Sequence, residues 1–306
     1  MKFSKIANDY IKFAETKGKP QSIRSIKSRI NNYILPYFEK FMIEDITPII
    51  YLKWQNEINR KGFSYKYKKS LHYTMVSIYN FANKFYSYEN NIASKVGNFS
   101  NSYDIPKEID IWTNEEFNHF ISYVNEPIYK ALFTFMFYTG CRLGECLALT
   151  FNDLKDNVIN INKTISKEFI NGKRQITTPK TKKSIRKIHI DNLLKNELNN
   201  LHDYYIINIG YFKNDFYIFG AIKPLAPTTI ERKKNNYCKI ANIKQIRLHD
   251  FRHSHASLLL SNKIPITAIS NRLGHSDINT TLTTYIHLIP DDEKRVINTL
   301  NSLRLN

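Results

Sequence analysis

Alternation of period two, the mark of a half-buried strand, is confined to one window of this chain: NVINI (157–161), QITT (175–178) and SIRKIHI (184–190). The turn pair Asn171-Gly172 stands between the first two, and one further short candidate, FYIFG, lies at 216–220. Elsewhere apolar residues recur at spacings of three and four, so the expected fold is mainly α with a small antiparallel β-sheet. In the first hundred residues Phe3, Ile6, Ala7, Tyr10, Phe13 and Ala14 form one stripe, and Ile23, Ile26, Ile30 and Ile34 continue it until Pro36. Thr47-Pro48 reads as an N-cap with proline at the first helical position, opening a helix that stops near Gly62. From Ser64 a fourth helix is expected to carry Leu71, Met75, Ile78, Phe81, Ala82 and Phe85 on one side, with Lys66, Lys68 and Lys69 crowding its first turns. Four such helices predict an all-α bundle.

Residues 87–110 break this periodicity with Asn, Ser and a late Pro. A linker at 101–110 is expected to join a domain of residues 1–100 to one of residues 111–306. Beyond it, Thr113 and Glu116 read as a capping box, and the apolar run 128–138 as a buried helix.

Charge narrows the function. Among 306 residues, 45 Lys+Arg against 27 Asp+Glu leave a net +18, pointing to a polyanionic partner, nucleic acid first. Residues 1–106 and 107–306 each carry +9, so the shorter half is the more densely basic and suits a clamp on DNA phosphates. Three cysteines, Cys141, Cys146 and Cys238, without paired spacing argue against a disulfide framework or thiolate zinc site. No run approaches the roughly 20 apolar residues of a membrane span, and the amphipathic start is unlike a signal peptide. A cytoplasmic protein is expected.

Four segments of the second half carry candidate chemistry. In TGCRLGE (139–145), Gly140 sits where a helix C-cap belongs and Arg142 follows in a turn, with Glu145 able to orient it; a purely structural Arg–Glu pair is the alternative. In TPKTKKSIRKIHI (178–190), Lys180 at a hairpin tip could protonate a leaving oxygen, although Lys182, Lys183 and Lys187 are close enough to compete. In LHDFRHSHAS (248–257), His249 and Arg252 share a helix face and could reach one phosphate. A metal reading of His249, His253 and His255 lacks the glutamate of helical zinc sites, since Asp250 follows the first histidine; core or surface positions suit His253 and His255 better. In RLGHSDINTTLTTYIHL (272–288), His275 follows Gly274 at a helix end, Ser276 or Asp277 could cap the next helix, and Tyr285 falls within or just after it. Two arginines, two histidines, a lysine and a tyrosine are a set able to transfer a phosphodiester without metal: guanidiniums stabilise the charged oxygens and a phenolic oxygen attacks in line.

This order of motifs resembles the tyrosine recombinases, or phage integrase family. Its T-G-x-R-x-x-E stands here as TGCRLGE, its P-K-T-x-x-S-x-R as PKTKKSIR, its H-x-L-R-H as HDFRH and its L-G-H-S as LGHS, with Tyr285 ten residues after His275. The resemblance implies a helical, SAM-like core-binding domain over residues 1–100 and a mixed α+β catalytic domain over 111–306. It makes Tyr285 the nucleophile of a 3′-phosphotyrosyl intermediate, Arg142 and Arg252 the binders of the scissile phosphate, and Lys180 the general acid. His249 would assist proton transfer at the nucleophile, His275 would hydrogen-bond the phosphate, and Glu145 would support them. Arg24, Lys27, Lys66, Lys68 and Lys69 are candidate DNA contacts in the first domain.

No cofactor or metal is expected. The implied partners are double-stranded DNA with specific sites, further copies of the chain in a tetramer passing through a Holliday junction, and accessory DNA-bending or directionality proteins. The segment from Asp291, with Val296, Leu300 and Leu303, would dock on a neighbouring subunit or on its own domain. Because the chain starts almost at the core-binding domain, an arm-binding domain is not expected within it, and the expected layout is that of a simpler recombinase or of a shortened form of a longer integrase. Type IB topoisomerase-like relaxation, a non-catalytic DNA-binding regulator and a metal-dependent nuclease are the competing functions.

Overall fold

The computed structural model describes residues 1–18, 20–100, 109–170, 173–179, 181–275, 277–285 and 300. The chain divides into two units, Met1–Lys107 and Glu108–Asn306.

The first unit is helical. Helices α1 (Phe3–Lys17) and α2 (Pro20–Arg29) lead into a π-helical turn, Ile30–Ile34, which runs on as α3 (Leu35–Phe38). Pro36 therefore does not end this helix as its sequence suggests: it occupies the first turn of α3, where no amide donor is needed. Helix α4 (Pro48–Arg60) starts as expected, the Thr47 hydroxyl accepting from the Ile50 amide at 3.4 Å. Helix α5 (Tyr65–Tyr86) starts with the Ser64 hydroxyl accepting from Tyr67. Phe3, Phe38, Tyr51, Trp54 and Tyr79 meet in the core, and the Trp54 indole donates to the Tyr33 carbonyl at 2.9 Å. The loss of periodicity after residue 87 hides one more element. A short helix, α6 (Ile92–Val96), buries Ile92 and Ala93 against this core, and Phe99 follows them in, so these residues pack as part of the first unit.

In the second unit α7 (Asn114–Ser122) carries the expected capping box of Thr113 and Glu116. Helix α8 (Pro127–Thr139) is buried nearly all round; Phe117 of α7 stacks on its Phe137 at 3.9 Å and 5°. A one-turn helix, α9 (Leu143–Cys146), follows. Strands β1 (Leu154–Lys155), β2 (Val158–Ile161) and β5 (Arg186–His189) form one antiparallel sheet in the order β1-β2-β5, while β3 (Thr164–Ile170) pairs with β4 (Lys173–Thr177) in a separate ribbon. Because β4 and β5 lie in different sheets, QITT and SIRKIHI do not form a hairpin with each other. FYIFG is not a strand either: Tyr217 makes isolated bridges to Thr150 and Ala221, and the chain turns at Gly220.

Helices α10 (Asn192–Ile209), α11 (Pro227–Ile240), α12 (Asp250–Ser261), α13 (Ile266–Leu273) and α14 (Asn279–Tyr285) complete the unit. Helix α8 packs against both α10 and α12, so its C-terminal end faces the start of α12 from a buried, well-fixed position.

Candidate active site

The site grows from the end of α8. Gly140 caps that helix with φ +65°, and a Cβ there would come within 2.7 Å of both His255 and Leu273. This close approach lets α12 and the end of α13 close on the turn that carries Arg142. The Glu145 carboxylate then holds the turn: it accepts from the Arg142 amide and from its guanidinium, each at 3.0 Å. Glu145 also pairs at 2.9 Å with Arg186 of β5, which donates in addition to the carbonyls of Arg272 and Ser184. Burial pushes the Glu145 carboxyl up, but Arg186 and Arg142 outweigh it and hold it below the usual carboxylate range. Gly274, at φ +70°, lies against the Arg186 side chain, and a Cβ would meet it at 3.0 Å.

Arg252 is buried in the first turn of α12 and donates to the carbonyls of Gly140 at 2.9 Å and Leu273 at 2.7 Å. Those carbonyls fix the guanidinium plane and leave its remaining N–H donors for another acceptor. Burial and the nearby Arg142 guanidinium both lower its proton affinity, which makes an anion between the two arginines favourable. His249, immediately before α12, is driven down to about 4 by surrounding protein bulk and by His253, Arg252 and Arg142, although its residue as a whole is exposed. His275 follows the αL residue Gly274 and shares a 2.6 Å hydrogen bond with Thr281; burial and the field of Arg252, Arg142 and Arg186 push it down to about 4. Both imidazoles are neutral at neutral pH.

Tyr285 ends α14 and is 2% exposed. Burial raises its hydroxyl well above the ordinary phenol value while Arg252 pulls the other way. Its Oη lies 2.6 Å from His253 Nδ1. Arg142, Glu145, His249, Arg252, His275 and Tyr285 thus come to the site from three of the four segments.

Lys180 lies outside the described residues, as does the segment from Asp291 except for Leu300, which is exposed. Two members of the cluster were not singled out from the sequence. Arg186 was legible only as the last residue of PKTKKSIR, and the spacing of His253 suggested a metal pair or a core position. Among the described residues no group of three His, Cys, Asp or Glu could hold a metal. The would-be triad is divided: His253 faces Tyr285, whereas the buried His255 accepts from Arg272 at 3.1 Å.

In the first unit, Arg24 and Lys66 are exposed, Lys27 is paired with Glu15 at 2.5 Å, and the Lys69 ammonium lies over the Tyr73 ring. Lys68 departs from the expected DNA-facing set. It shares the inward face of α5 with Leu71 and Met75, is buried, and donates to Asn59 at 3.0 Å. No described helix is long and apolar enough to cross a membrane.

Cations and neutral imidazoles gathered around a buried phenol make a centre suited to phosphodiester chemistry. The Phage integrase family matches residues 112–291, and the phage integrase N-terminal SAM-like domain matches residues 2–59. The ICEBs1 integrase of Bacillus subtilis (strain 168) is 30% identical, over 98% of this chain and 83% of that protein. In fold the chain is similar to the Tn1549 transposon integrase solved with circular intermediate DNA, with a TM-score of 0.74 at 18% identity over 100% of both chains. It is likewise similar to a lambda integrase dimer solved on a core site, with a TM-score of 0.71 at 16% identity over 93% of this chain and 95% of that one. The chain belongs to the phage integrase family, the tyrosine recombinases, and is an enzyme that breaks and rejoins DNA.

Proposed function

We propose that this integrase cleaves specific sites in double-stranded DNA with Tyr285, forming a 3′-phosphotyrosyl link and releasing a 5′-hydroxyl, and so integrates or excises a mobile element in the cytoplasm. The observation that carries this reading is the burial of the Tyr285 phenol within the field of Arg252, a guanidinium that also acts on His249 and His275 and is itself influenced by Arg142. Arg142 and Arg252 hold the scissile phosphate and stabilise the charge its oxygens gain in the pentavalent transition state. Glu145 aligns Arg142. His275 donates to a phosphate oxygen, His249 serves the nucleophile's side of the reaction, and Lys180 protonates the departing 5′-oxygen. None of these roles draws on a cofactor. Conservation of the phosphodiester energy in the covalent link supports exchange of strands between duplexes, with four copies acting through a Holliday junction and accessory DNA-bending or directionality proteins choosing the direction.

The test is a nicked suicide duplex built from the sequences flanking the gene, incubated in EDTA with wild type and with Tyr285→Phe. A denaturant-resistant adduct with wild type alone is expected. An adduct with Tyr285→Phe would reassign the nucleophile, and tight binding without any adduct would favour a non-catalytic regulator.

A further inference from the structure

The resemblance gave the nucleophile's proton to His249, but among the described residues the hydrogen bond to the Tyr285 hydroxyl is made by His253, whose Nδ1 lies 2.6 Å from Oη. The His253 ring sits one helical turn along α12 from His249, edge-on to it at 5.1 Å, and tilted against the phenol at 5.6 Å. Around it stand Asp250 and Arg252 on α12, with His249 and Arg247 just before the helix and Tyr285 facing it from α14. Burial, Arg247 and Arg252 keep the imidazole below its ordinary range despite Asp250, so at neutral pH one ring nitrogen carries a lone pair.

We propose that His253 is the base that takes the proton from Tyr285 during strand cleavage, a role that rests on Tyr285 being the nucleophile. The Oη–P bond forms as the P–O5′ bond breaks. The Oη proton passes to His253 Nδ1, and the departing O5′ takes a proton from the Lys180 ammonium; religation reverses both transfers. His253 is then a catalytic residue in the direct sense, because it touches a reacting atom.

The experiment compares suicide-duplex cleavage by wild type, Tyr285→Phe, His253→Phe and His253→Asn across a range of pH. The asparagine oxygen can accept the Tyr285 hydrogen bond near the Nδ1 position but takes no proton. Both His253 variants should cleave about 100-fold or more slowly, the usual contribution of a positioned general base. The asparagine variant should keep wild-type DNA affinity and melting temperature, and its residual rate should climb with pH where the wild-type rate is flat, because hydroxide replaces the missing base. A wild-type rate in His253→Asn, or a slow rate with the wild-type pH profile, would overturn the proposal and leave His253 a packing residue. An adduct formed by Tyr285→Phe, or none formed by wild type, would instead overturn the cleavage reading on which it rests.

Discussion

Arg186 and Glu145 meet at 2.9 Å, 41 positions apart in the chain, with side chains only 6% and 4% exposed. Through this pair the β5 strand fixes the carboxylate that in turn holds Arg142 at the site. Removing Arg186 takes away the buried partner of the Glu145 carboxylate and leaves it the more exposed Arg142, so the cost should reach about 3 kcal/mol, the lower end for breaking a buried pair. Arg186→Ala should lose that much in urea unfolding, and Glu145→Gln somewhat less because it keeps a hydrogen-bonding shape. The double variant should cost little more than Arg186→Ala alone; additive costs would mean that the two residues act independently.

Arg252 donates to the Gly140 and Leu273 carbonyls, and a lysine cannot span both. Arg252→Lys and Arg142→Ala should each slow suicide-duplex cleavage about 100- to 1,000-fold, the effect of losing one oriented transition-state donor. A wild-type rate in either variant would remove that arginine from the chemistry.

Gly140 combines a left-handed backbone with a van der Waals wall. Gly140→Ala meets His255 and Leu273 at 2.7 Å in addition to the αL cost of about 1–2 kcal/mol, so a loss of about 2 kcal/mol or more is expected in denaturant unfolding. A neutral substitution would mean that the end of α8 can yield.

The histidines make stability acid-sensitive. An unfolded histidine titrates near 6.5 whereas His275 and His249 in the folded site titrate near 4, so over that window the unfolded chain binds protons that the folded one refuses. Stability is therefore fully present above pH 6.5 and falls as the pH is lowered toward 4. Melting temperatures measured without DNA should drop across this range, and His275→Asn should flatten part of the slope. An unchanged melting temperature between pH 7 and 4.5 would contradict the neutral state of these rings in the folded site.

Lys66 and Lys68 are two residues apart and differ in what they can touch. If exposed Lys66 contacts a phosphate, Lys66→Ala should weaken DNA binding and reduce the slope of log affinity against log salt by about 0.9. Lys68→Ala should leave that slope unchanged and lower stability instead, since Lys68 is bonded to Asn59. Equal salt slopes for both variants would show that Lys66 does not meet the backbone.

The sequence by itself determined what depends on neighbours a turn or two away. The caps at Thr47, Ser64 and Thr113, the stripes of α1 and α5 and the apolar run of α8 follow from such short-range chemistry, as does the turn that places Glu145 beside Arg142. The helical fold with its small antiparallel sheets was legible for the same reason. Strand β3 was not, because Lys167-Glu168 and a register shift between Ile165 and Phe169 break its alternation. FYIFG has a strand's composition but no partner beyond single bridges. The tertiary structure alone decided that Arg186 supports Glu145 and that His253, 32 positions before Tyr285, is the residue on its hydroxyl. Each of these depends on which surfaces the folded chain presses together, and local spacing carries no record of contacts across such separations.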